Sequence, residues 1–395
     1  MKTLKLRKNE ERRLLAGHLW IFSNEVDTRA TPLVAFEPGE SARLESSRGD
    51  FLGYVYVNPA SLICARLCSR DSGRPFDAAL IRQRLQSALT LRQMFYEEPF
   101  YRLVHGEGDF LPGLIIDRYD DVLVLQINTA GMERQRDVIL DVLRDSLSPS
   151  SILLRNDSSV RKLENLPLHN EFVYGEERDQ ITLRENGLNF HAPLMSGQKT
   201  GWFYDHRENR AFLQRLTAGK RVLDVFSYLG GWAINAAAGG AQEVVAIDAS
   251  APALKLAESN AALNGYADRF SSQCGDALEQ MRVLQESARR FDIVVLDPPA
   301  FIKRKKDHTA GLRQYELINR LAMGLLEDDG ILVCASCSQH LTRQDLNSAM
   351  LRAARKNRRH LQILARGGQG PDHPVNAAMP ETDYLKTIFA RLQSA

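Results

Sequence analysis

Three stretches of this sequence set a reactive or polar side chain directly after a run of apolar residues, where the carboxyl tip of a buried strand would carry it. In Ile331-Leu332-Val333-Cys334-Ala335-Ser336-Cys337-Ser338 that side chain is Cys337. An ionised thiol so placed can attack a bound substrate as a nucleophile. Cys334 lies inside the run and reads as a buried small hydrophobe. Other readings of Cys337 stand beside this one: a redox pair with Cys334, although that chemistry favours a helix N-terminus; a zinc ligand, although no further ligands follow at matching spacing; and plain core packing. In Val294-Val295-Leu296-Asp297-Pro298-Pro299-Ala300-Phe301, two prolines follow the acid. They fix φ and remove N–H donors, so the loop is stiff and Asp297 is aimed at one place over the sheet edge; an ordinary turn is the alternative.

The third stretch, Val222-Leu223-Asp224-Val225-Phe226, runs into Ser227-Tyr228-Leu229-Gly230-Gly231 and a helix expected from Trp232 to Ala238. Glycines at a strand-to-helix turn let a ligand approach the backbone, and the helix N-terminus behind them favours negative charge. Val244-Val245-Ala246-Ile247 then ends in Asp248, 24 residues after Asp224. An acid at such a tip binds ribose hydroxyls in doubly wound folds, with helix capping as the bland alternative. The Gly-x-Gly-x-x-Gly fingerprint of dinucleotide sites is absent, which favours a ribose-bearing cofactor without phosphates, S-adenosylmethionine, over NAD-like ligands. Asp276, in Gly275-Asp276-Ala277 after the next expected strand, is placed to meet an adenine amino group. A methyl donor gives Cys337 a specific task. Carbon 5 of cytosine is too electron-poor to attack a methyl sulfonium until a thiolate adds to carbon 6. Asp297 would then hydrogen-bond or protonate the ring nitrogen, and a stacked cytosine would first have to be extruded into the pocket.

The elements that must position these residues alternate strand and helix from about residue 196, with continuous apolar strands, the mark of a parallel sheet covered on both faces. The expected strands are Arg221 to Phe226, Glu243 to Asp248, Arg269 to Cys274, Phe291 to Asp297, Gly330 to Ser336 and Tyr384 to Arg391, with a helix from Pro252 to Asn264 between Ser250 and Gly265. A hairpin is expected from Ile181 to His191 around Asn186-Gly187. Earlier in the chain, residues 1–70 read as a small β module, and roughly 75 to 175 as an α+β unit beyond a linker at Asp71-Ser72-Gly73-Arg74-Pro75. With 395 residues, 44% hydrophobic and 25% charged, this is an ordinary globular composition with room for two or three domains. No run of about 18 apolar residues and no signal-peptide layout is present, so a cytoplasmic protein without membrane contact is expected. The five cysteines, 64, 68, 274, 334 and 337, are scattered and odd in number, which argues against a disulfide framework. No metal site is expected.

The combination of Gly197-Gln198-Lys199-Thr200-Gly201-Trp202-Phe203-Tyr204-Asp205-His206-Arg207-Glu208-Asn209-Arg210 with Asp224 to Gly231, Asp297 to Phe301 and Ser336-Cys337-Ser338 resembles the bacterial large-subunit ribosomal RNA cytosine-5 methyltransferases of the RlmI type. Gly17-His18-Leu19-Trp20-Ile21-Phe22, Gly53 and Asn58-Pro59 resemble that family's N-terminal PUA domain, and Asp372-His373-Pro374 with Pro380 to Lys386 its closing segment. The resemblance covers nearly the whole chain. It implies an α/β architecture: a PUA-like RNA-binding β-barrel over 1–70, a central α+β domain over 75–178 and a Rossmann-like class I methyltransferase domain over 180–395. It also implies S-adenosylmethionine as donor, 23S rRNA as substrate, naked or in a ribosomal precursor, and Cys337 as nucleophile, beside which Asp297 stands as the second catalytic candidate from the chemistry above. Phe226, Gly230, Gly231, Asp248 and Asp276 would line the cofactor site with Asp224 and Asp297, and Lys199 would lie nearby. Many of the wider RNA cytosine-5 methyltransferases carry a second Cys after Pro-Pro; here that position is Ala300, which implies single-cysteine chemistry.

Net charge is only +2, yet 39 of the 51 basic residues are Arg, whose planar fork suits phosphate; high-GC codon usage is the bland explanation. Lys303-Arg304-Lys305-Lys306, just past the Asp-Pro-Pro loop, is expected to flank the pocket mouth and bind RNA. Arg352, Arg355, Lys356, Arg358 and Arg359 read as a second basic run on a helix. Trp20, Phe22, Tyr54 and Tyr56 are candidate stacking residues, at least half of them more suited to the core. Two rival functions remain: a guanine-N methyltransferase of rRNA, which needs no thiol, and a non-enzymatic RNA-binding or assembly factor. A homodimer is a possible assembly.

Overall fold

The computed structural model describes residues 1–395. Contacts gather the chain into two compact units: Met1–Ile181, Pro193–Tyr204 and Pro371–Thr382 form the first, and Thr182–Ala192, Asp205–Gly370 and Asp383–Ala395 the second. No helix is long and apolar enough to cross a membrane.

The first unit contains two five-stranded sheets. One is built from β1 (Lys2–Lys5), β2 (Trp20–Ile21), β3 (Glu40–Glu45), β4 (Phe51–Val57) and β5 (Ala65–Ser69), in the order β1-β3-β4-β5-β2. Its core is made by Leu4, Leu6, Ile21, Leu44, Val55 and Leu67. Gly53 interrupts the apolar run of β4 for a steric reason: its φ is +149°, and a Cβ there would come within 2.3 Å of the Ser69 carbonyl oxygen. The other sheet is built from β6 (Phe100–His105), β7 (Leu114–Tyr119), β8 (Val122–Ile127), β9 (Ser151–Asn156) and β10 (His169–Gly175), in the order β10-β9-β8-β7-β6. The helix Ala78–Phe95 places Ile81 and Leu85 in the same core as Leu103, Ile116, Leu125 and Leu154. Asp77 caps this helix by accepting from the Leu80 amide at 3.0 Å.

In the second unit, which takes Thr182–Ala192 of it, the expected hairpin forms from β11 (Gln180–Glu185) and β12 (Leu188–Pro193). Asn186 and Gly187 have φ of +55° and +78°, both left-handed, as a type I′ turn requires. The main sheet has seven strands: β13 (Arg221–Val225), β14 (Glu243–Asp248), β15 (Phe270–Cys274), β16 (Phe291–Leu296), β17 (Leu326–Ser336), β18 (Arg359–Gly367) and β19 (Lys386–Ser394). Their order is β15-β14-β13-β16-β17-β19-β18, parallel from β15 through β17, with β19 antiparallel to both neighbours. Successive residues alternate between two apolar layers: Leu223, Val225, Val294 and Leu332 belong to one, and Val222, Ile293, Val295 and Val333 to the other. That double burial explains why the strands read as continuous apolar runs. This is the Rossmann-like α/β fold expected from the strand and helix alternation.

The region after residue 350 departs from expectation. The helix Arg343–Lys356 carries Arg352, Arg355 and Lys356, but Arg358 adopts a left-handed turn (φ +54°) and Arg359 opens strand β18, so the second basic run is not all helical. A non-glycine residue makes this turn, leaving no Gly or Pro to signal it. The run is also largely engaged. Glu316 binds both Arg352 (2.7 Å) and Lys356 (2.6 Å), and Arg359 donates to the carbonyls of Leu326 and Glu327.

Candidate active site

Strand order in the main sheet reverses at β13, whose neighbours β14 and β16 connect in opposite directions, and ligands of such sheets bind beyond the carboxyl ends at that point. Asp224, Asp248, Asp276, Asp297 and Cys337 all lie at or just beyond these ends, on β13, β14, β15, β16 and β17 in turn.

Asp224 is fully buried. Its Oδ2 accepts from the Ser227 hydroxyl (2.7 Å) and the Ala233 amide (3.1 Å), tying the strand to the first turn of the helix Gly231–Ala238. Its Oδ1 has no partner. Burial pushes the Asp224 carboxyl up to about 7, and the neighbouring Asp297 adds to the rise against the Ser227 hydrogen bond. Because the raised value lets the folded state keep a proton the unfolded chain has lost, this group's stabilisation is full below about 3.8 and fades as pH rises to about 7. Asp224→Asn should flatten that part of the ligand-free protein's stability profile. Thermal melts at pH 4 to 8 check it, and an unchanged slope would contradict the assignment.

The loop after β13 is wound tightly. Phe226 and Tyr228, neither a glycine, have φ of +69° and +51°, conformations that cost of order 1 kcal/mol each. They are held by neighbours: the Phe226 and Ser227 amides both donate to the Ile247 carbonyl, and the Tyr228 amide donates to Asp248 Oδ2 at 2.9 Å. Gly230 caps the helix at φ +81°, where a Cβ would stand a tight 3.1 Å from Ala257 Cβ, so both conformation and space favour glycine. Gly231 opens the helix. Asp248 is half-buried and also accepts from the Ser250 amide (2.8 Å), while Ser250 itself caps the helix Ala251–Leu263. Asp276 is exposed, and its Oδ1 caps the helix Ala277–Glu286 through the Leu278 and Glu279 amides. Lys199 falls on the segment Pro193–Tyr204 of the first unit, where its ammonium lies 4.5 Å from the Phe203 ring centre.

Asp297 follows β16 directly, and two residues not singled out from the sequence hold it. Its Oδ1 is 3.3 Å from His206 Nε2, and its Oδ2 accepts from the Trp232 indole N–H at 3.0 Å. Burial pushes the Asp297 carboxyl up, but the His206 charge and these two hydrogen bonds outweigh it and hold the group below the ordinary carboxylate range. His206 is placed in turn by Asn209, whose side-chain amide lies 3.3 Å from Nδ1 and donates to the Gly368 carbonyl. The sequence carried His206 inside the stretch Gly197 to Arg210 but offered no spacing that linked it to Asp297.

Cys337 is the first residue past β17 and is half-buried. In the parallel register Leu296 pairs with Cys334, so Asp297 and Cys337 emerge from adjacent strands at the same end of the sheet. The turn around Cys337 is braced on both sides. Tyr315, from the helix His308–Gly324, places its hydroxyl 2.7 Å from Ser336 Oγ and 2.9 Å from Ser338 Oγ. Lys386, the first residue of β19, donates from Nζ to the Ser338 carbonyl at 2.8 Å. Cys334 is fully buried within the strand, and burial pushes its thiol up to about 12, as expected of a packing residue. None of the five cysteines is in a disulfide.

The Ile302 amide donates to Ser338 Oγ at 3.3 Å, which ties the end of the Asp297 loop to the Cys337 turn. The basic run Lys303, Arg304, Lys305 and Lys306 begins at the next residue and is exposed, with Arg304 paired to Asp307 at 3.0 Å. Of the candidate stacking aromatics, Tyr56 is buried and donates to the Pro112 carbonyl, Tyr54 donates to Ser72, and Trp20 donates to Glu107; Phe22 lies under the Arg13 guanidinium.

Residues 160–377 match the S-adenosylmethionine-dependent methyltransferase family, and residues 4–70 match a PUA-like domain. The ribosomal RNA large subunit methyltransferase I of Tolumonas auensis is 37% identical, covering 98% of this chain and 99% of that protein. Its counterpart in Klebsiella pneumoniae is 36% identical over 98% of each. A solved structure, the putative methyltransferase SMU.776 complexed with SAH, shares the fold at a TM-score of 0.85 with 21% identity, covering 99% of this chain and all of that one. With a matching fold, a PUA-like start and relatives similar from end to end, the chain belongs to the S-adenosylmethionine-dependent methyltransferases and, within them, to the ribosomal RNA large subunit methyltransferase I family.

Proposed function

We propose that this protein transfers a methyl group from S-adenosylmethionine to carbon 5 of a cytosine in 23S ribosomal RNA through a covalent adduct on Cys337. The observation that carries the reading is the emergence of Cys337 and Asp297 from the same end of the adjacent strands β17 and β16. Support for ribosomal RNA as substrate comes from the relatives' names and the PUA-like start.

The residues fit the cofactor. Asp224 offers a buried carboxyl oxygen without a partner, suited to a cationic amino group, and Asp248 stands at a strand tip suited to ribose hydroxyls. Phe226, Gly230 and Gly231 supply the backbone against which it would lie, with Asp276 toward the adenine. Bound there, S-adenosylmethionine supplies an electrophilic methyl on sulfur.

The Cys337 thiolate adds to carbon 6, forming an S–C bond and pushing the ring's electron pair to carbon 5, which uses it to bond the methyl as the methyl–sulfur bond breaks and leaves its own pair on sulfur. Loss of the carbon-5 proton restores the double bond and expels the thiolate. Held ionised by His206 and Trp232, Asp297 accepts a hydrogen bond from the exocyclic amino group and balances the positive charge of the base once the ring nitrogen has taken a proton from solvent, a proton returned to solvent when the thiolate leaves. Lys303, Arg304, Lys305 and Lys306 bind phosphates beside the extruded base, and Cys337, with Asp297, works on the base itself. The domain division that serves this chemistry is PUA-like 1–70, central 75–178 and catalytic 180–395.

Mass mapping of ribosomal RNA from a strain lacking the gene is expected to show one 5-methylcytosine missing from 23S rRNA and regained with the gene. A missing methylguanine would favour attack through nitrogen, and an unchanged map would overturn the reading.

A further inference from the structure

Lys386 is a lysine with almost no solvent exposure, 6% of its surface, in a place where such a side chain is costly to bury. Its ammonium donates to the carbonyls of Ser338 and Tyr384, each at 2.8 Å. Strand register sets Lys386 opposite Ser336, so its side chain reaches past the end of β17 to the far flank of the Cys337 turn. Ser338 is the residue directly after Cys337, so this ammonium is fixed against the backbone of the thiol's own turn. Lys386 has no part in the chemistry derived above, and two carbonyl hydrogen bonds alone would not require a charge.

We propose that Lys386 is the positioning residue that fixes the Cys337 turn and, by its positive charge, favours the thiolate over the thiol. The proton released goes to solvent, so the step needs no other partner. Other charged or titratable groups face the same place. Tyr315 comes from the helix His308–Gly324, Asp383 precedes β19, and Arg343 from the helix Arg343–Lys356 opposes the Lys386 charge. Burial lowers the Lys386 ammonium from its ordinary value, while Asp383 and Cys337 act to keep it protonated. A thiolate and an ammonium held together stabilise one another, and each is the other's reason for being charged away from water.

The inference rests on Cys337 as nucleophile for its catalytic consequence, but the electrostatic effect can be measured without methyl transfer. The test follows the rate of Cys337 alkylation by iodoacetamide against pH, with peptide mass spectrometry separating it from the exposed Cys274. Lys386→Gln keeps donors for both carbonyls and removes the charge. It should move the rising limb of the profile upward by about one pH unit, whereas Lys386→Arg should stay near the wild type. Calorimetric binding of S-adenosylmethionine by each variant shows that it is folded, and Lys386→Met replaces Lys386→Gln if the latter is not. Superimposable profiles for the wild type and the neutral variant would overturn the inference and leave the proposed function standing. A shifted profile together with full activity in Cys337→Ala would do the reverse.

Discussion

Cys337→Ala should abolish methylation, with a loss of about a thousand-fold or more in kcat/KM, while S-adenosylmethionine affinity stays within a few-fold of the wild type. The size follows from the substrate. Without addition at carbon 6, carbon 5 of cytosine has no electron pair to offer a methyl sulfonium, and no other cysteine replaces the thiol: Cys334 is buried inside β17 and Cys274 lies at the end of β15. The fold should tolerate the change, since Cys337 is small, half-buried and outside the strand. Transfer of labelled methyl to ribosomal RNA measures it, with calorimetry for the cofactor. Full activity in the variant would indicate a nitrogen nucleophile on the base. Cys337→Ser should be nearly as inactive, because a hydroxyl does not ionise in this range.

Asp297→Asn should cost about a hundred- to a thousand-fold in kcat, with a smaller effect on cofactor binding. Asn keeps the shape and can still accept the Trp232 hydrogen bond, so the loss isolates the charge. A pH profile adds a sign. His206 and Trp232 hold the Asp297 carboxyl below 3.8, so in the wild type activity controlled by this group is lost only as pH falls below that value. In His206→Ala only the Trp232 hydrogen bond is left to oppose the burial that pushes the carboxyl up, and the acidic limb should move to higher pH. An unchanged limb in His206→Ala would show that Asp297 is not the group being titrated.

Much of the catalytic unit was legible because double burial of a parallel sheet writes itself as continuous apolar runs. Glu243–Asp248 falls where it was expected to the residue, and β13, β15 and β16 to within one residue at an end. The hairpin was legible from Asn186-Gly187, since few other pairs accept two left-handed conformations. Strand β18 was missed for the opposite reason. It is an edge strand with one half-buried and one exposed face, and its first residue continues a run of arginines that began on a helix. The residues along the carboxyl edge were legible where an acid or thiol follows an apolar run directly, as with Asp248 and Asp297, or after one serine, as with Cys337. Their supports were not. His206 lies 91 residues before Asp297 and Lys386 lies 49 after Cys337, and only the folded sheet shows what they touch. The loop Phe226 to Tyr228 was hidden as well, because Phe and Tyr in left-handed conformations give no compositional sign of a tight turn.

Covalent trapping tests the account most directly. An RNA in which the target cytosine carries fluorine at carbon 5 has no proton to lose after methyl transfer, so the adduct cannot be resolved by elimination. The wild-type protein with S-adenosylmethionine should form a denaturant-stable protein–RNA species, in which digestion finds the nucleotide on the peptide containing Cys337, and Cys337→Ala should form none. Methylation of the unmodified RNA by a protein that never forms that bond, or forms it at another residue, would contradict the account.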